Sequence, residues 1–215
     1  MRQLLIALCC CGFAFGLPAC GGNGVPAPGL DASSIFKSDA GVGDDPTACK
    51  GTCTCPADVN CACASGSDCT VDCAIGDLNP KCNVACSGTS KCDVDAQDNL
   101  KLACSNTAQC TGAGRDGSDL GCSNDAKCDV SVMAGSNVTC SNQASCKVKV
   151  GLSTHVVCSG SATCELSGTA NDEYTVVCSD SARCACRGNC NMTCGTTGLA
   201  TTCGDGSKVC GKACP

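Results

Sequence analysis

Cys104-Ser-Asn-Thr-Ala-Gln-Cys110, Cys122-Ser-Asn-Asp-Ala-Lys-Cys128 and Cys140-Ser-Asn-Gln-Ala-Ser-Cys146 begin 18 residues apart. The same phrase opens at Cys86 (Cys86-Ser-Gly-Thr-Ser-Lys-Cys92), at Cys158 (Cys158-Ser-Gly-Ser-Ala-Thr-Cys164) and at Cys178 (Cys178-Ser-Asp-Ser-Ala-Arg-Cys184). The first five openings keep the 18-residue spacing; the sixth follows after 20, which a two-residue insertion near Asn171 and Asp172 explains. A degenerate copy, Cys63-Ala-Ser-Gly-Ser-Asp-Cys69, precedes them. A fixed period of this kind marks a repeat architecture, in which each unit buries its apolar side against the next.

Positions are numbered from the first Cys of each repeat. Position 17 is Leu102, Leu120, Val138, Val156 and, past the insertion, Val176. Position 5 is Ser90 and then Ala108, Ala126, Ala144, Ala162 and Ala182; position 9 is Val94, Gly112, Val130, Val148 and Leu166. Positions 15, 17 and 1 therefore alternate inward on one short strand, and positions 5, 7 and 9 on another, a period of two. Ser, then Asn, Gly or Asp, stands between the strands, and these residues favour turns and tolerate left-handed backbone. Positions 10 to 14 read as a second, more variable linker. The fold class is thus all-β: a β-solenoid of about 18 residues per coil, of either hand, with coils stacked at about 4.8 Å so that like falls on like. Helical repeats are disfavoured, since their units run to about 33–47 residues with apolar spacings of three and four.

The composition agrees. There are 30 cysteines in 215 residues, one Tyr (Tyr174), no Trp, and three Phe (Phe13, Phe15, Phe36), all before residue 40. From Cys49 onward there are 22 Leu, Ile and Val and no Phe, too little apolar volume for an ordinary enzyme core. A net charge of −6 argues against nucleic acid as a partner.

The N-terminus reads as an address. Arg2 precedes a mostly apolar run from Leu4 to Leu17, too short to span a bilayer and suited to a signal peptide. The run ends in Leu17-Pro18-Ala19-Cys20-Gly21-Gly22, which resembles the lipobox of bacterial lipoproteins. That resemblance implies a signal peptide over 1–19, lipid attachment at Cys20, and, with Gly21 rather than Asp following, sorting to the outer membrane. Residues 20–48 then form the lipidated Cys and a flexible tether rich in Gly, Pro, Ser and Asp. Export sets an oxidising compartment, so the 26 cysteines beyond Cys20, an even number, are expected to pair. Positions 1 and 7 of each coil are the predicted partners, the turn between them folding the chain back; pairing between neighbouring coils stays open, since spacing alone never fixes connectivity. Closing a seven-residue loop contributes about 2.4 kcal/mol. The Cys-dense segments 49–85 and 185–215 break the period and read as caps of the six-repeat solenoid at 86–184, with Cys186, Cys190, Cys194, Cys203, Cys210 and Cys214 able to close among themselves.

Over Cys86 to Cys184 the pattern resembles the disulfide-laddered β-solenoids exemplified by beetle antifreeze proteins, whose coils are shorter. Ice binding needs a flat Thr array. Here positions 8 and 10 are Asp93/Asp95, Thr111/Ala113, Asp129/Ser131, Lys147/Lys149 and Glu165/Ser167, so that activity is not expected. The alternating Asp129, Lys147 and Glu165, and Lys101 over Asp119, read as solvated faces whose vertical neighbours attract. Ser at position 2, from Ser87 to Ser179, reads as turn hydrogen bonding. Asn137-Val-Thr and Asn191-Met-Thr match a glycosylation pattern that a bacterial lipobox makes coincidental. Polysaccharide-cleaving β-helices need paired acids in a cleft. The nearest candidates are Asp172 and Glu173 beside Tyr174, in the insertion, and no enzyme activity is expected from them. Cys-x-Cys at Cys53/Cys55, Cys61/Cys63 and Cys184/Cys186 makes a thiol-rich metal-binding protein the rival reading. The only His, His155, is placed facing solvent. The expectation is a non-catalytic, cofactor-free structural or adhesive protein of the bacterial cell envelope, held to the membrane by its lipid, with a protein or glycan surface partner.

Overall fold

The computed structural model describes residues 48–73, 81–195 and 198–215. The signal segment, Cys20 and nearly all of the tether lie outside these residues.

The chain runs as eight coils of two strands each. Coil 1 is β1 (Ala48–Cys49) and β2 (Gly51–Cys55); coil 2 is β3 (Asn60–Cys63) and β4 (Asp68–Cys73); coil 3 is β5 (Cys82–Cys86) and β6 (Lys91–Asp95). Coil 4 is β7 (Leu100–Cys104) and β8 (Gln109–Gly114); coil 5 is β9 (Asp119–Cys122) and β10 (Lys127–Val132); coil 6 is β11 (Asn137–Cys140) and β12 (Ser145–Val150). Coil 7 is β13 (His155–Cys158) and β14 (Thr163–Ser167), and coil 8 is β15 (Tyr174–Cys178) and β16 (Arg183–Arg187). After β17 (Cys190–Cys194) the chain ends in β18 (Thr201–Thr202) and β19 (Lys208–Cys210). Odd strands from β1 to β17 form one parallel sheet and even strands from β2 to β16 a second, so every coil passes once through each face.

Register follows the repeat. Cys104, Cys122, Cys140, Cys158 and Cys178 stand in one file, and Cys110, Cys128, Cys146, Cys164 and Cys184 in another. Position 17 (Leu102, Leu120, Val138, Val156, Val176) and position 9 (Val94, Val130, Val148, Leu166) are buried, as period-two alternation requires. The even strands show that alternation most directly, as in Ser145–Val150.

Two findings extend the sequence reading. Segment 49–85, expected to be a cap, supplies two further coils: Cys49 pairs in register with Cys63 and Cys63 with Cys86, continuing the position 1 file. Spacings of 14 and 23 residues between those cysteines hid the register. Several even strands, among them β8, β10 and β12, also run on through position 11, expected to be linker. Ala96, Val132 and Val150 there are buried. The far end is a true cap. β19 lies antiparallel on β16, and β18 on β19, closing a parallel edge that would otherwise recruit another strand.

The two corners of a coil differ. The first, between an odd strand and the next even one, places position 3 at positive φ in coils 3 to 8: Gly88, Asn106, Asn124, Asn142, Gly160 and Asp180, at 57–68°. Asn tolerates this region better than most residues. It also stacks: Asn124 donates to Asn106 Oδ1 at 3.4 Å and Asn142 to Asn124 Oδ1 at 3.2 Å. The side-chain ladder thus runs through position 3, while the position 2 serines contribute backbone bonds such as Ser123 N to Cys104 O, 2.9 Å. At the second corner, position 14 carries the positive φ in Asn99, Gly117, Gly135 and Ser153. Ser118, Ser136 and Thr154 at position 15 are buried, and their hydroxyls donate to the carbonyls of Arg115, Arg115 and Met133. Among the described residues no buried side-chain N or O atom lacks a partner.

Candidate functional site

Sulfur is the most regular chemistry in the molecule. Positions 1 and 7 are bridged within each of coils 3 to 8: Cys86–Cys92, Cys104–Cys110, Cys122–Cys128, Cys140–Cys146, Cys158–Cys164 and Cys178–Cys184. The within-coil pairing is therefore the one adopted. Three bridges cross the second corner instead: Cys55–Cys61, Cys73–Cys82 and Cys186–Cys190. Cys49–Cys53 joins β1 to β2. The terminal cysteines do close among themselves, as Cys186–Cys190, Cys194–Cys210 and Cys203–Cys214.

Among the described cysteines, Cys63 and Cys69 alone are free, and both are buried. Burial, and then the neighbouring Cys69, push the Cys63 thiol well above its ordinary value, so it stays protonated. Sulfurs of successive coils approach within 4.8 Å, in Cys63, Cys86 and Cys92 and again in Cys140, Cys158 and Cys164. Such clusters have metal-ligand geometry only on paper: all but Cys63 are in bridges, and a disulfide sulfur is not a thiolate ligand. The Cys-x-Cys pairs are likewise divided, Cys53 and Cys55, and Cys184 and Cys186, belonging to different bridges.

The insertion does not gather a cleft. Tyr174 is turned inward, 1% exposed, and its hydroxyl donates to Arg187 O at 2.6 Å. It is the largest fully buried side chain among the described residues, and burial pushes its phenol up to about 12. It cannot serve as a sugar platform. Its ring occupies the space over Gly168, where a Cβ would lie 2.7 Å from Tyr174 Cε1. Asp172 accepts from Thr169 N at 2.9 Å and shapes the inserted turn; hydrogen bonds from Thr169 hold its carboxyl below the usual range. Glu173 is exposed. The adjacent acids are turn residues, and the sequence signal for Tyr174 as core was its place in the position 15 file, over Thr154's coil and under Cys190.

The outer face of the even-strand sheet is charged. Lys147 pairs with Asp129 at 3.7 Å, while Glu165 pairs with Lys212 of the C-terminal segment at 3.8 Å. On the other sheet Lys101 meets Asp119 at 4.0 Å and exposed His155 Nδ1 lies 2.8 Å from Thr175 Oγ1. Two shallow grooves cross the even-strand face, one bordered by Thr52, Cys69, Thr70 and Thr111, the other by Lys147, Arg187 and Lys212. Met133 and Leu152 are exposed on the second corner. No protein-family model, no curated protein and no solved structure matches the chain.

Proposed function

We propose that this is a non-catalytic, exported structural or surface protein, held to a bacterial envelope by lipid at Cys20 and presenting a disulfide-braced stack beyond the tether. The observation that carries this reading is the bridge inside every one of coils 3 to 8, between positions that the repeat itself brings together. A stack this poor in large apolar residues needs covalent bracing, and such bridges persist in an oxidising compartment. The signal run and the Leu17–Gly22 phrase support the anchor. Exposed charged columns support a surface or adhesive role, and Asp172, Glu173 and Tyr174 do not converge on one site.

The test is the intact mass of the protein produced in a bacterial host with its own signal, before and after reduction. The expected product begins at Cys20, carries acyl chains, and gains about two mass units per bridge on reduction. A chain cleaved elsewhere and unacylated would remove the anchor. Many reactive thiols with bound zinc or copper would replace the structural reading with metal binding.

A further inference from the structure

Coil 2 holds the ladder's missing bridge. Cys63 and Cys69 stand six residues apart, as in coils 3 to 8, in register with the bridged Cys86 and Cys92. Both are buried, yet they are free.

The corner between them explains why. In coils 3 to 8 the turn closes from position 5 N to position 2 O, as in Ala126 N to Ser123 O at 3.3 Å, with positive φ at its second residue. In coil 2 the turn closes from Ser67 N to Ala64 O at 3.0 Å, but positive φ falls on its third residue, Gly66, at 77°. The peptide between residues 65 and 66 therefore faces the other way, the difference between a type II′ and a type II pattern. Sequence dictates this: coil 2 has Ser65 where coils 4 to 6 have Asn106, Asn124 and Asn142, and its Gly lies one place later.

An approach to the pair exists from the end of the stack. Gly51 is aligned over Cys69 and carries no side chain, and among the described residues a Cβ built on it meets nothing within 4 Å. Cys69 Sγ donates to Cys49 O at 3.2 Å, so fraying of the two-residue β1 frees it. Cys69 also borders the groove on the even-strand face.

We propose that Cys63 and Cys69 form a redox-active dithiol that takes a small disulfide oxidant and closes reversibly into a seventh within-coil bridge, with the 64–67 turn flipping to the form seen in coils 3 to 8. Cys69 thiolate, its proton lost to solvent, attacks one sulfur of R–S–S–R, forming Cys69–S–S–R and releasing RS⁻. Fraying of β1 lifts the burial that keeps Cys63 protonated; its proton passes to the released RS⁻, and the Cys63 thiolate then attacks Cys69 Sγ and expels the second RS⁻. Two protein thiols lose two electrons and two protons, and one disulfide becomes two thiols. Because closure forces Ser65 to positive φ, this bridge opens more readily than the six above it.

The test equilibrates the purified, otherwise oxidised protein with reduced and oxidised glutathione over a range of ratios, followed by acid quench, alkylation and peptide mapping. The expected result is reversible alkylation of Cys63 and Cys69 together, over ratios at which the other pairs stay unlabelled. Ser65→Asn is expected to favour closure roughly fivefold, the order of the Asn preference for left-handed backbone. A pair that stays open or stays closed at every ratio, other bridges opening at the same ratio, Cys63 found linked to Cys86 or Cys92, or a Ser65→Asn protein with unchanged closure would each overturn the proposal. None of these outcomes depends on lipid attachment at Cys20.

Discussion

The first corner of each coil is constant and the second is not. Between Cys86 and Cys184 the first corner always spans four residues, keeps positive φ at position 3 and lies under a bridge. The second corner has no bridge in coils 3 to 7, and it absorbs the insertion at 168–173 before Tyr174. At the ends of the stack the bracing moves across: Cys55–Cys61, Cys73–Cys82 and Cys186–Cys190 all cross the second corner, in coils 1, 2 and 8. A corner fixed covalently sets the register of everything stacked on it, and the opposite corner is then free to vary. The variable corner is braced in coils 1, 2 and 8, whereas the insertion of coil 7 is unbridged and is filled by the Tyr174 ring. Coils 1 and 8 each hold a bridge across both corners, and coil 8 carries the capping hairpin.

The largest test of this contrast is at the insertion. Tyr174→Ala empties the one aromatic-sized site on the unbraced side and is expected to cost about 3–5 kcal/mol, read by chemical denaturation of the oxidised protein. The native Tyr gives a pH signature too. Its phenol is raised to about 12 in the fold by burial, against about 10 in an unfolded chain. The neutral form is the one the fold favours, so its stabilisation is complete below about pH 10 and is lost as pH climbs from 10 towards 12. As the only Tyr in the chain, its phenolate absorbance reports this without overlap. Titration at the ordinary value would mean the ring is not buried. Next in size is Gly112, in β8 on the braced side's strand. Its φ is 153° and an added Cβ would lie 2.0 Å from Val94 O, so Gly112→Ala is expected to cost roughly 2–4 kcal/mol in the same measurement.

Gly112 also shows what the sequence could tell. Position 9 is legible as an inward file because Val94, Val130, Val148 and Leu166 share it, but the repeat carries no sign of the close approach to Val94 O that its one Gly allows. The sheets, the within-coil bridges and the Asn-bearing corner were legible for the same reason: each is repeated, and stacking makes repetition equivalent to contact. What was hidden is what occurs once. Coils 1 and 2 read as a cap in sequence because their corners differ in length, shifting the cysteines out of period while leaving the strands in register. The acid pair before Tyr174 marks the insertion in the sequence, but not that the strand after it turns the ring inward. The pairing of the second-corner bridges is not legible, since their members occupy positions 9, 11, 15 and 17, where other coils place residues other than Cys, such as Val, Leu, Ala, Gly, Ser or Thr.

Bridges themselves offer the next step down. Cys194–Cys210 spans 16 residues in sequence, so losing it is expected to cost about 3 kcal/mol by loop entropy. Replacing Cys140 and Cys146 together by Ala opens a first corner of standard length, at about 2.4 kcal/mol. Limited proteolysis distinguishes the two. The cap variant should be cut at the C-terminal hairpin with the stack intact, and the coil 6 variant should be cut at its first corner. Cleavage of the Cys140/Cys146 variant at second corners instead would show that the bridge does not set the register.

The smallest effect belongs to the charged face. Lys147 and Asp129 are 67% and 62% exposed at 3.7 Å, and exposed pairs of this kind contribute a few tenths of a kcal/mol that salt screens. Lys147→Ala is therefore expected to leave the denaturation midpoint nearly unchanged at high salt, with a difference appearing only at low ionic strength. A loss of 1 kcal/mol or more would assign register to the surface columns. A null result leaves register with sulfur, the Asn ladder and the Val and Leu files, which frees the outer face of the even strands to vary in charge for whatever it meets.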